Sequence, residues 1–203
     1  LSEGDVTLGG STLKNSGTVQ GNTLAVHQSS INNQGTLTGL QSLTVQGQQR
    51  LMARMAMAAP QQELINGAGG KLLTQGALTI ASGAVTNAGS WQAQNILLNA
   101  RSLTNSGAIS GVNGLTLSQT GAFSQQSGGT LLSGGALNVT AASVTSDGKM
   151  QGGTLGITTG ALTNNGRLQG DNGATLALSG TLTNNSGGEI VSRDALTLTT
   201  GKL

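Results

Sequence analysis

The chain contains no cysteine, no tyrosine and a single proline, Pro60. Without cysteine there are no disulfides and no thiolate metal sites, which suits a chain that stays unfolded while it crosses an oxidising compartment. Trp91 and Phe123 are the only aromatic residues among 203, so a conventional core of large side chains would be underfilled. Charged residues are 8% of the chain, against about 25% in an average soluble domain. The net charge of +2 includes no cluster of Lys and Arg. Nothing is therefore in place to neutralise a run of phosphates, and no nucleic-acid partner is expected. No apolar run approaches the roughly 18 residues of a membrane helix, so no membrane insertion is expected.

What the chain has is glycine, 34 of them, a large share of Ser, Thr, Asn and Gln, and a steady beat of Leu, Val and Ile. Low hydrophobicity by itself favours disorder, but disordered tracts rarely keep a beat. The phrase is L-x-N-x-G-x-(L/V/I)-x-G, followed several residues on by L-x-(L/V/I). Leu103, Asn105, Gly107, Ile109, Gly111, Leu115 and Leu117 make an almost ideal copy. Others open at Leu13, Ile31, Leu64, Val85, Phe123, Val144, Leu162 and Leu182. In the copy that opens at Leu162, Leu176 and Leu178 read as the closing pair. About nine copies of roughly 20 residues follow one another, a period that marks a β-solenoid. Apolar residues at spacing two within each copy mark strands with one face buried. Asn and Gly fall between the pairs, where the chain must turn. A single copy buries too few aliphatic side chains to offset the ordering of its backbone, so the copies must stack.

The expectation is an all-β chain, a right-handed parallel β-helix of about nine rungs, forming one repeat segment over 1–203 of something longer. The spacing breaks once, between Ile31 and Leu64, and the insertion at about 47–63 reads as a short amphipathic helix or compact loop outside the rod. It holds three of the four methionines, and Pro60 would end the helix. Arg50, Met52, Arg54, Met55 and Met57 are its candidate partner contacts, because Met-rich faces adapt to varied partners. A flap over apolar rod surface is the plainer reading of the same residues.

The most regular polar feature is a column of asparagines, Asn15, Asn33, Asn66, Asn87, Asn105, Asn164 and Asn184. It reads as a structural ladder of side-chain amides rather than a row of ligand sites. Trp91 and Phe123 occupy aliphatic slots of the repeat and are expected in the core, and His27 has no partner at ligand spacing. Lys149, Arg167 and Glu189 take equivalent outward places on consecutive rungs, where Arg167 and Glu189 can pair. The outward residue between the paired apolars runs Ala25, Thr44, Thr79, Leu97, Thr116, Asn138, Gly156, Ala177, Thr197, too irregular for a flat threonine array. The acids Glu3, Asp5, Glu63, Asp147, Asp171, Glu189 and Asp194 hold different repeat positions, so no paired carboxylates arise for hydrolysis. No GxSxG, HExxH or P-loop is present. The expectation is therefore no enzyme, no cofactor and no metal.

The repeated phrase resembles the haemagglutinin repeat of filamentous haemagglutinin-type exoproteins, among them the large contact-dependent growth inhibition proteins of Gram-negative bacteria. The resemblance covers about Val6 to Leu203. It implies a right-handed β-helical filament exported by two-partner secretion through an outer-membrane transporter, secreted to the bacterial cell surface and serving adhesion or toxin delivery. It also implies a cell-surface receptor or glycan as partner. The family's secretion domain carries Asn-Pro-Asn phrases, and with Pro60 the only proline that domain is not expected in this stretch. The resemblance points to a stalk segment, with a receptor- or glycan-binding module acting through 47–63 as the alternative.

Overall fold

Alternation of apolar and polar residues makes strands, and Asn or Gly between the alternating stretches lets the chain bend. The computed structural model describes residues 1–47 and 62–201. Sixteen strands follow in order: β1 (Val6–Asn15), β2 (Thr18–Asn33), β3 (Thr36–Gln46), β4 (Glu63–Asn66), β5 (Lys71–Thr74), β6 (Ala77–Asn87), β7 (Ser90–Asn105), β8 (Ala108–Gln119), β9 (Ala122–Gln125), β10 (Thr130–Ser146), β11 (Lys149–Asn164), β12 (Arg167–Gly170), β13 (Ala174–Leu178), β14 (Leu182–Asn184), β15 (Glu189–Ser192) and β16 (Leu196–Thr199). The strand pairs are parallel throughout. No helix occurs among the described residues, and the chain is a parallel β-solenoid of about nine turns.

Each turn has three sides. The first carries the L-x-N phrase, the second follows the glycine bend, and the third carries the closing apolar pair. Longer strands such as β7 run round two corners and pair on all three sides. Register is what aligns the interior. On the second side Leu37, Leu72, Trp91, Ile109, Leu131, Met150 and Leu168 stack one above the next, all fully buried. Trp91 and Phe123 lie in the core as their repeat slots predicted, each 1% exposed. With so few aromatics, the interior is a bundle of aliphatic columns whose burial is shared rung to rung, which is why no turn is stable alone.

The glycine bends are forced by close approach. A methyl placed on Gly107 would run into the Gly89 carbonyl and the Ala88 backbone of the rung before it. Only hydrogen fits there, so the bends can stack at strand spacing.

One register differs from the sequence expectation. Ala174 and Leu176, not Leu176 and Leu178, lie opposite Leu155 and Ile157, and Leu178 faces Thr159. The outward residue of that pair is then Thr175 rather than Ala177. Repeat matching favoured two leucines over an alanine and a leucine, but the corner at 171–173 fixes where the strand begins.

The described chain ends at Gly47 and resumes at Gln62 at one corner, between the third and first sides. Gly47 N–H donates to the Ala81 carbonyl at 3.0 Å, and Ala84 N–H donates to the Gln62 carbonyl at 2.9 Å. Leu43 and Val45 stay in step with Leu78 and Ile80, and Ile31 with Leu64. Residues 48–61, with Arg50, Met52, Arg54, Met55 and Met57, lie outside the described residues.

Candidate functional site

The last residue of each first-side strand points inward at the corner before the glycine bend, so its polar side chain is buried and must find partners inside. Asn33, Asn66, Asn87, Asn105 and Asn164 are 0% exposed. Asn15 Nδ2 donates to Asn33 Oδ1, Asn33 to Asn66, Asn66 to Asn87 and Asn87 to Asn105, each at 2.8 Å. Asn164 donates to Asn184 at 2.7 Å. The second amide hydrogen closes the local bend, as from Asn33 to the Gly35 carbonyl at 2.9 Å and from Asn66 to the Gly70 carbonyl at 3.0 Å. Asn15, Asn33, Asn66, Asn87, Asn105 and Asn164 therefore each donate toward the C-terminal end, and their dipoles reinforce one another.

Two rungs use other side chains. Gln125 takes the Asn105 hydrogen on Oε1 at 2.9 Å and passes its own to the Lys149 carbonyl at 3.1 Å. Ser146 sits next, fully buried, and its Oγ has no hydrogen-bond partner among the described residues. The column is thus two ladders, from Asn15 to Gln125 and from Asn164 to Asn184, separated by a serine too short to bridge them.

The second polar arrangement lies outside, on the second side. Lys149, Arg167 and Glu189 occupy one register column, and Arg167 pairs with Glu189 between two exposed side chains. Beside them Asp171 accepts from Gln151 Nε2 at 3.0 Å and from Gln169 Nε2 at 2.6 Å. Those hydrogen bonds, Gln151 first, hold its carboxyl below the ordinary aspartate range, with smaller help from the charges of Arg193 and Lys149. Asp147, Asn165 and Asn185 form a further exposed chain, Asn165 donating to Asp147 and Asn185 to Asn165. The sequence reading missed both groups. Their signal is a recurrence of Gln or Asn one rung apart on outward positions, which hydrophobic matching ignores.

Among the described residues, no group of three or more His, Asp or Glu side chains is arranged to hold a metal ion. No helix there is long and apolar enough to cross a membrane. His27 is half-buried on the outer side of β2.

Comparison with known proteins gives one consistent family. No family model matches the chain, and no solved structure matches it. A protein named toxin CdiA from Escherichia coli is 40% identical over 100% of this chain, which corresponds to 8% of that protein. A protein named tRNA nuclease CdiA from Escherichia coli (strain NC101) is 37% identical over 94% of the chain, 6% of its own length. A protein named 16S rRNA endonuclease CdiA from Enterobacter cloacae is 36% identical over 89% of the chain, 5% of its own length. The chain thus spans less than a tenth of the curated relatives it matches. These names correct the expectation that the protein is not an enzyme: two of these relatives are called nucleases, and that expectation rested on carboxylates and motifs within a stretch covering only a small part of them.

Proposed function

Since the chain is homologous over most of its length to CdiA, the contact-dependent growth inhibition proteins, we propose that it is a length of shaft in a CdiA-like, toxin-delivering exoprotein. The observation that supports this most directly is the continuity of the stack. Parallel register runs from Val6 to Thr199, through the rung that carries the insertion. A solenoid of this kind transmits position along its axis, and each rung adds about 4.8 Å of reach. The amide ladder serves the same end: its donors and acceptors are spent on neighbouring rungs and bends, holding register rather than offering a ligand site. The nuclease names of the relatives support a nuclease toxin activity, with nucleic acid as its target, for the whole protein to which such a shaft belongs. The same homology supports export through an outer-membrane two-partner transporter, a place at the bacterial surface, and a receptor or glycan on the target cell.

The insertion supports a second reading. Because the strands on either side of it keep register, recognition through Arg50, Met52, Arg54, Met55 and Met57 is compatible with the stack.

Binding of the purified chain to bacterial cells, with and without residues 48–61, separates the two. A shaft predicts no saturable binding by either version. Saturable binding that disappears on deletion, with the circular dichroism unchanged, overturns the shaft reading in favour of an adhesin module.

A further inference from the structure

The chain holds four Asn-Gly steps, 66–67, 113–114, 165–166 and 172–173. At such a step the main chain can attack its own side chain, because glycine has no Cβ to block the approach of its nitrogen to the asparagine Cγ. The fold treats the four differently. Asn66 is 0% exposed and bonded to Asn87 and the Gly70 carbonyl, while Gly67 N–H is held by the Asn33 carbonyl at 2.8 Å. Gly166 N–H is shared between the Ser146 carbonyl at 3.0 Å and Asn164 Oδ1 at 3.3 Å, and the Asn165 carboxamide is tied to Asp147 and Asn185. Asn113 and Gly114 both lie inside β8, where Gly114 is in register with Asn95 and Ala136 and the backbone is extended.

Asn172 and Gly173 sit outside any strand, in the corner between β12 and β13. Asn172 N–H is fixed on the Gly153 carbonyl at 2.7 Å and the Gly173 carbonyl accepts from Leu155 N–H at 3.0 Å. Between those two anchors, the exposed Asn172 carboxamide makes no hydrogen bond and the Gly173 N–H meets no acceptor among the described residues. Both reacting groups are unengaged at this step.

We propose that Asn172 is a site of spontaneous succinimide formation and deamidation in the folded protein. The Gly173 nitrogen, losing its proton to solvent base, attacks Asn172 Cγ. The new C–N bond closes a five-membered imide, and the Cγ–Nδ2 bond breaks to release ammonia. Water then opens the ring. Attack at Cγ restores the chain with aspartate at 172, and attack at the main-chain carbonyl gives isoaspartate with one extra methylene in the backbone. Either product places a new carboxylate beside Asp171. The isoaspartate also lengthens the corner that sets β13 against β11 and β16, and so loosens the last rungs.

The test is peptide mapping by mass spectrometry after incubating the full chain in mildly alkaline buffer made with ¹⁸O water. Folded protein is compared with the same chain in denaturant. Tryptic cleavage after Arg167 and Arg193 isolates 168–193, and fragmentation places the label. In denaturant all four steps should deamidate at comparable rates. In the folded chain Asn172 should lead Asn66, Asn113 and Asn165 by about tenfold or more, with one ¹⁸O at residue 172 and no product from Asn172→Gln. A folded chain in which Asn172 is no faster than the other three, or gains no ¹⁸O, overturns the proposal.

Discussion

Asn105 gives its Nδ2 hydrogen to Gln125 Oε1 at 2.9 Å, across one rung of the solenoid. The glutamine is one methylene longer than the asparagines below it, yet it still accepts the amide hydrogen of the rung before. The bond needs an amide at the corner and tolerates a difference in reach.

Substituting Asn87→Ala should therefore be costly. It leaves the Asn66 donor and the Asn105 acceptor facing nothing in the interior, and each orphaned buried group costs about 1–3 kcal/mol. We expect a loss of roughly 2–5 kcal/mol, read as a lower urea midpoint by circular dichroism. Thr86→Ala, at an exposed neighbouring position, is the matched control. Equal midpoints for the two variants would mean that the ladder contributes nothing to stability.

Ser146→Asn should act in the opposite direction. It supplies an amide where Ser146 Oγ has no partner and can join the two ladders. A net gain of about 0.5–1.5 kcal/mol is expected, together with slower hydrogen exchange of the rungs beyond 146. A midpoint below that of the parent chain would show that the corner cannot accept the longer side chain.

Gly107→Ala tests the close stacking of the bends. Its methyl meets the Gly89 carbonyl and Ala88 backbone rather than a flexible side chain, so about 1–3 kcal/mol should be lost. Gly9→Ala, where nothing lies near the added methyl, should stay within about 0.5 kcal/mol.

The Asp171 carboxyl is held below its ordinary value by the Gln151 and Gln169 amides. The folded state thus favours the ionised form. Its contribution is present above the unfolded pKa and is lost as pH falls through the lowered folded value. An NMR titration of Asp171 should give a midpoint below 3.8, and Gln151→Ala should raise it. A midpoint at or above the ordinary value would contradict the hydrogen-bond account.

Glu189→Gln should change little. The Arg167–Glu189 pair is exposed on both sides, 43% and 54%, and such pairs contribute about 0–1 kcal/mol. A larger loss would show that the outer charged column carries stability that its exposure does not suggest.

Apolar spacing of two and a period near 20 were enough, in the sequence, to give an all-β solenoid of about nine turns. They also placed Trp91 and Phe123 inside. Both are consequences of local chemistry: a side chain's face follows from strand periodicity, and a bend follows from Gly and Asn. Three things depended on tertiary contacts. Ala174, not Leu176, lies opposite Leu155, because the length of a corner is set by the rung it packs on. Asp171 gathers Gln151 from the rung before and Gln169 from its own, a grouping that exists only once rungs about 20 residues apart lie at strand spacing. And Asn172 has its reactive groups free while Asn165 does not, although both precede glycine. That difference comes from whether the glycine nitrogen meets a carbonyl of the neighbouring rung, as Gly166 does on Ser146, and only the stacked fold decides it.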